Sequence, residues 1–423
     1  MIKASFYLLQ SLIKIVVTIL AKLLCIILLI NNCIKGIYIY IILHYHSLRK
    51  INLIKGVVTL QKNSNDRLLW LDSLRGIAAL MVAIFHFWMY ARLQVKDENS
   101  VDKFFEFFTY DYFDIGKIGV VLFFAISGFI IPYSLFRYKD NHMVRFIMSR
   151  FFRLYPVYWV SILLVLLLIN DHPNMFNVIA NITMFQKFIG QPDLLGVYWT
   201  LQIELIFYFI CAALFITKLL QKHTTIYFSA YFFICVAFVL SVARYITEIK
   251  LPVAVPLALS IMFFGILWMR LHFKQEGIKK KQVYTVLFVI LGMIVPISLL
   301  AYNKDYGYEE SWYRYTLSYY TAIGMFVLFT TKVKLVNPVF IFLGKISYSL
   351  YLMHLIVSAL IFEHSLFGHA IKNIYLLMAI SLIISLITST ITYYLVEKPF
   401  IKLGKNLVKK ITTTSKDNLS KAV

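Results

Sequence analysis

Ten apolar runs, each about as long as a bilayer is thick, constrain this chain more than any other feature. A helix needs roughly 20 mostly apolar residues to cross the hydrocarbon core. From Leu68 onward such runs fall near 68–90, 115–136, 155–170, 198–217, 226–243, 255–270, 283–301, 316–330, 340–362 and 373–395. Lipid supplies no hydrogen-bond partners, so a run of this kind satisfies its own backbone by folding as a helix. The expected fold is therefore all-α, a polytopic membrane protein with about ten transmembrane helices in a bundle and no soluble domain. A content of 61% hydrophobic and 15% charged residues is not that of a soluble chain.

The connections between the runs alternate in charge. One set carries Arg137, Lys139, Arg145, Arg150 and Arg153, then Lys218 and Lys222, then Arg270, Lys274 and Lys279 to Lys281, then Lys332, Lys334 and Lys345, and last the tail after Lys398. The other set carries Asp97, Glu98, Asp102, Glu106, Asp111 and Asp114, then Asp171 and Asp193, Glu248, Asp305, Glu309, Glu310 and Glu363. Lys and Arg concentrate on the cytoplasmic side. The expected setting is the cytoplasmic membrane, crossed many times, with both ends of the ten-helix core in the cytosol. This asymmetry accounts for a net charge of +22 without nucleic acid as a partner. Four cysteines with no CxxC spacing point to neither a disulfide framework nor a zinc site.

Three segments follow. Residues 67–400 form the transmembrane core, and 401–423 a basic cytoplasmic tail. Residues 1–66 read either as an N-terminal extension with one or two further helices, interrupted by Lys14 and Lys22, or as a stretch ahead of the true start.

Ionisable groups inside an apolar span mark function by default. The first core run, LDSLRGIAALMVAIFHFW, holds Asp72, Arg75 and His86. Eleven positions of helix amount to about three turns plus 20°, so Arg75 and His86 share a face about 16 Å apart along the axis. The alternative is an arginine snorkelling to the interface and a satisfied histidine. Histidine suits acyl transfer, because it takes a proton from an attacking hydroxyl and returns it to a leaving group near neutral pH. Asp72, about 21 Å from His86, is too far for a triad. It is expected to cap its own helix, with Ser73 as the other candidate cap, or to pair with Arg75.

That run resembles the opening of the acyltransferase 3 family of membrane acyltransferases, in which ten residues separate an Arg or Lys from a following His. Four further stretches resemble the family in order: GVVLFFAISGF from Gly119, RFFRLYP from Arg150, WTLQIELIFYF from Trp199, and ISYSLYLMH from Ile346 with VEKPF from Val396. The resemblance covers about residues 68–400. It implies ten helices and transfer of an acyl group, usually acetyl, from cytoplasmic acetyl-CoA to a hydroxyl of a cell-surface or lipid-linked polysaccharide. His86 would then be the catalytic residue, as general base or transient acyl carrier, and Arg75 its motif partner. Arg150 and Arg153, three apart on one helical face, would hold the phosphates of coenzyme A, although the positive-inside rule alone also places Arg there.

Glu204 lies mid-helix, where it either pairs with Arg75 or His86, contacts the acceptor sugar, or orders the bundle through an ion pair. Leu205 stands where relatives often carry a second acidic or polar group, which weighs against a paired-carboxylate mechanism. Ser127 and Gly128 are expected to allow close helix packing. Tyr348 and His354 could line a cavity, with Tyr348 and Tyr351 alternatively part of an interfacial belt. Glu397 is expected to anchor the end of the last helix, and Pro399 to help terminate it. His364 and His369 lack companion ligands, so no metal is expected. The sequence stops soon after VEKPF with no appended hydrolase-like domain, so either the helical unit reaches its acceptor directly, the preferred expectation, or a separate partner protein does so. The alternative function is a transporter or flippase for a glycan or small anion, a class that also buries charge in membranes. It predicts inverted repeats, and none is visible. A polymerase or ligase would need longer outer loops.

Overall fold

The computed structural model describes residues 68–94, 103, 105–136, 142–169, 173–304, 311–363 and 373–420. The N-terminal segment 1–66 lies outside them, as do Asp97, Glu98, Asp102, Asp171, Asp305, Glu309, Glu310, His364 and His369. Among the described residues there are twelve α-helices and no strand. Nine helices among the described residues are long and apolar enough to cross a membrane. The run near 316–330 is not among the nine. It forms a helix, Trp312–Thr331, whose first half, WYRYTLSYYT, is rich in Tyr and Thr.

Two compact units divide the chain, one of Asn65–Ser134 and Gly196–Tyr348, the other of Leu135–Leu195 and Ser349–Val423. The first unit contains α1 (Leu69–Gln94), most of α2 (Ile115–Phe136), α5 (Tyr198–Ile216), α6 (His223–Thr247), α7 (Ala254–His272), α8 (Lys280–Ala301), α9 (Trp312–Thr331) and the start of α10 (Pro338–Ser358). Its centre is α7, in which every residue from Pro256 to Arg270 is buried. A helix apolar on all sides belongs in the middle of a bundle. α5, α6 and α8 pack on it, α8 also packs on α6 and α9, and α9 packs on α1. Trp268 Nε1 donates to Thr330 Oγ1 at 2.7 Å, and Ser260 Oγ to the Ala230 carbonyl at 2.9 Å.

Glycines set the closest approaches. A Cβ on Gly128 would collide with the Met262 backbone, and one on Gly265 would lie 2.6 Å from the Ala125 carbonyl, so α2 and α7 touch backbone to backbone. Gly76 and Gly344 do the same for α1 and α10, where a Cβ on Gly76 would lie 2.5 Å from the Phe340 carbonyl. Without a hydrophobic driving force between helices in lipid, such close packing is a main source of association. The packing role expected of Gly128 is met.

The second unit contains α3 (His142–Leu168), α4 (Met175–Thr183), the rest of α10 with a π-helical turn at Ala359–Glu363, α11 (Ile374–Thr392), a π-helical turn at Tyr393–Glu397 and α12 (Lys398–Ser420). α3 packs on α12 and on the second π turn. It begins thirteen residues earlier than the run at 155–170 and continues through Pro156, so RFFRLYP lies inside it. The helix also does not end at Pro399, because Pro399 is the second residue of α12. In a first turn the missing N–H of proline loses no hydrogen bond. The chain after α3 folds back along it. Tyr158 Oη donates to the Asn181 carbonyl at 2.7 Å, Trp159 Nε1 to Ile182 at 3.0 Å and Tyr155 Oη to Thr183 at 3.1 Å. These donors bond carbonyls at the end of α4 about 14–20 Å back from the end of α3.

Candidate active site

His86 sits on α1 with its side chain half-buried. Its Nδ1 lies 2.9 Å from the Val82 carbonyl oxygen, one turn back. A carbonyl only accepts, so Nδ1–H is the donor, and the neutral ring carries its lone pair on Nε2. The ring is also held edge-on by Phe85, with centroids 5.3 Å apart. A tautomer held by a backbone acceptor is the arrangement a general base or nucleophile requires. Arg75 is half-buried on the same helix. Asp72 falls in the first turn of α1 and not ahead of it, because Leu69 and Trp70 extend the helix towards its N-terminus. There its charge favours the helix dipole.

The structure adds a buried charge cluster at the His86 end of α1. Asp114 caps α2: its Oδ1 accepts the Lys117 backbone N–H at 2.7 Å, and its own N–H donates to Ser318 Oγ at 2.9 Å. Its Oδ2 faces Arg314 Nη2 at 3.4 Å and Lys117 Nζ at 3.7 Å. Arg314 is 5% exposed, so this is a buried pair. Its Nη2 also donates to the Thr109 carbonyl at 3.3 Å, and its guanidinium lies 4.6 Å from the Tyr110 ring and 5.9 Å from Phe85. The Asp114 carboxylate is close enough to act electrostatically on His86. Neither residue stands out in the sequence, where Asp114 belongs to an acidic connection and Arg314 falls two residues before an apolar run. One signal was present: Arg314 is a basic residue on the acidic side, set among aromatics.

Glu204 forms no ion pair with Arg75 or His86 among the described residues. Its Oε1 accepts from Tyr208 Oη at 2.6 Å and from Ser127 Oγ at 3.2 Å. Two hydroxyl donors from α5 and α2 stabilise a carboxylate in an apolar bundle without a counter-ion. Ser127 therefore makes a specific bond in addition to being small.

Arg150 and Arg153 belong to the second unit, both half-buried on α3, one turn apart. Arg150 lies 5.6 Å from the Phe146 ring. In the same unit His354 is fully buried, with Nδ1 3.0 Å from the Leu350 carbonyl. Tyr348 and Tyr351 are buried as well, which excludes them from an interfacial belt. Glu397 is 3% exposed and accepts from Ser349 Oγ at 2.7 Å, so a hydroxyl holds this end of the helix. No group of three or more His, Cys, Asp or Glu among the described residues is placed to hold a metal ion.

Comparison with known proteins bears on this arrangement. Residues 68–395 match the family model described as an acyltransferase domain, of the acyltransferase 3 type. A protein of Acidianus two-tailed virus named as an acetyltransferase is 25% identical over 317 residues, covering 72% of this chain and 86% of the relative. Proteins of Staphylococcus aureus strains COL and MSSA476 named as O-acetyltransferases are 25% identical over 374 residues, covering 79% of this chain. The chain spans 57% of the length of these staphylococcal relatives. No solved structure matches it. With the family model covering most of the chain and nine membrane-length helices carrying the residues above, the chain belongs to the acyltransferase 3 family of membrane acyltransferases.

Proposed function

We propose that the protein is an O-acyltransferase of the cytoplasmic membrane that moves an acetyl group from cytosolic acetyl-CoA to a hydroxyl of a cell-surface or lipid-linked polysaccharide. The observation that carries this reading is the tautomer of His86, whose Nδ1–H is committed to Val82 so that Nε2 is the basic nitrogen. Nε2 takes the proton of the acceptor hydroxyl as that oxygen attacks the thioester carbonyl. The C–S bond then breaks, and the imidazolium returns the proton to the departing thiolate. A carboxylate within electrostatic reach stabilises the positive charge that His86 gains in this step, a role that falls to Asp114.

Arg150 and Arg153 suit the phosphates of the donor, since two guanidinium forks one turn apart on α3 match a polyanion. Arg75, on the helix that carries His86, is the further candidate for the donor side. Glu204, held by two hydroxyl donors, is available to a sugar hydroxyl through Tyr208. The names of the relatives support acetyl as the acyl group. The basic connections support a core whose two ends lie in the cytosol, on the side of the donor.

The test uses purified full-length protein in liposomes with labelled acetyl-CoA and an oligosaccharide acceptor. His86→Ala is expected to lower transfer by about 100-fold or more, the usual contribution of a positioned acid–base group. Wild-type transfer by that variant would sink the assignment. Comparing the mass of the surface glycan with and without the protein reads acyl type and acceptor together.

A further inference from the structure

A groove of about 290 Å³ opens on the face shared by α6 and α8, lined by Thr224, Tyr227, Tyr231, Gln282 and Thr285. Every one of these side chains carries a hydrogen-bonding group. The helices around them expose Phe228, Phe232, Val239 and Phe288, residues suited to contact with lipid. The hollow sets these hydroxyl and amide groups within a mostly apolar lining, beside a face suited to lipid.

Two further observations point to a ligand of negative charge. The Tyr227 hydroxyl is buried and has no hydrogen-bond partner, a state costing roughly 1–3 kcal/mol unless something supplies the bond. Arg270, 2% exposed, is bonded to His223, the residue before the lining residue Thr224, and acts electrostatically on Tyr227. Arg270 Nη1 donates to the Gln221 carbonyl at 3.4 Å and to His223 Nδ1 at 2.9 Å, and Nη2 donates to the Leu220 carbonyl. His223 gives its Nε2–H to the Glu276 carbonyl at 2.9 Å, which leaves Nδ1 as the acceptor and the ring neutral. All the acceptors of Arg270 are thus neutral, Nε has none, and no described carboxylate pairs with it. A buried cation without an anion is expensive. Exposed Lys222, Lys279, Lys280 and Lys281 stand at the same ends of the helices.

Depth supports the same ligand. α6 begins at His223 and α8 at Lys280, so the lining residues fall within about 12 Å of the helix ends. In a bilayer that is the level of the headgroups and the first acyl carbons. We propose that the groove binds the phosphate-bearing headgroup of an anionic phospholipid, with its charge answering Arg270 and the rim lysines and its chains lying along Phe228, Phe232 and Phe288. Soluble phosphate shares the charge but makes no use of the apolar faces beside the groove.

Native mass spectrometry of the full-length protein in detergent tests this, with phosphatidylglycerol and phosphatidylcholine added at equal concentration. Phosphatidylglycerol should be retained about tenfold better, and retention should fall several-fold in Tyr227→Phe and, separately, in the triple variant Lys279→Ser, Lys280→Ser, Lys281→Ser. Arg270 is left intact, because its bonds to Leu220 and Gln221 hold the chain ahead of α6. Millimolar inorganic phosphate should not displace the lipid. Equal retention of the two lipids, undiminished retention in both variants, or displacement by phosphate would each overturn the proposal, the last by making the groove a site for a soluble anion.

Discussion

The chemistry proposed for His86 rests on a neighbour four residues earlier on its own helix. The Val82 carbonyl commits Nδ1 and leaves Nε2 basic, a consequence of helical geometry that the sequence already implies. Asp114 and Arg314 are different, since 200 residues separate them and only packing of α9 on α1 brings Arg314 to this end of the bundle. Their pairing makes a prediction that separates structure from catalysis. Asp114→Asn keeps the cap on α2 but strands Arg314, and loss of one partner of a buried pair costs about 3–5 kcal/mol at the upper end. The variant should melt earlier and show a lower kcat. Adding Arg314→Met removes the stranded charge and should restore much of the stability, while kcat stays low. If rate recovers together with melting temperature, the pair is scaffold alone. Glu204 was legible as a costly mid-helix carboxylate, but its partners were not, because hydroxyls of Ser127 and Tyr208 carry no charge signal in a sequence.

Helices that touch through glycine owe their register to backbone contact. A Cβ on Gly128 meets main-chain atoms of Met262, which cannot rotate away as a side chain would. Gly128→Ala should therefore force α2 from α7 and lower stability by roughly 1–3 kcal/mol, read as an earlier thermal transition in detergent. Gly292→Ala and Gly324→Ala, with nothing within 4 Å of the added carbon, should be neutral or gain up to about 1 kcal/mol from helix propensity. An equal loss at all three positions would mean that contact at Gly128 is not the cause. Hydropathy located these helices well, but it placed the start of α3 at Tyr155, beside Pro156, and the breaking tendency of proline suggested an end near Pro399. Proline is a strong breaker in an isolated segment. In a packed bundle it is tolerated at Pro156 inside α3, and in a first turn it fits without loss, as at Pro399. The return of α4 along α3 was not legible at all. It depends on Tyr155, Tyr158 and Trp159 capping carbonyls more than 20 residues away.

Charge asymmetry is the basis of the proposed orientation in the membrane. α6 and α8 begin at the lysine-rich end, and at the other end Glu248, just past α6, pairs with Lys304, just past α8. With the basic end in the cytosol, Glu248→Cys should react with a membrane-impermeant maleimide in intact cells, whereas Lys281→Cys should react only after permeabilisation. The reverse pattern would invert the proposed orientation and with it the side from which acetyl-CoA arrives. Spans and the charge of their connections follow from the sequence because they are local: about 20 apolar residues in lipid form a helix whatever surrounds them. Arg75 and His86 share a face for the same reason, being eleven positions apart on one helix. The Asp114–Arg314 pair, the hydroxyls around Glu204 and a buried Arg270 that no described carboxylate pairs came from packing alone. Each joins residues from different helices, and contact between helices depends on where glycines allow backbones to meet, which no single apolar run encodes.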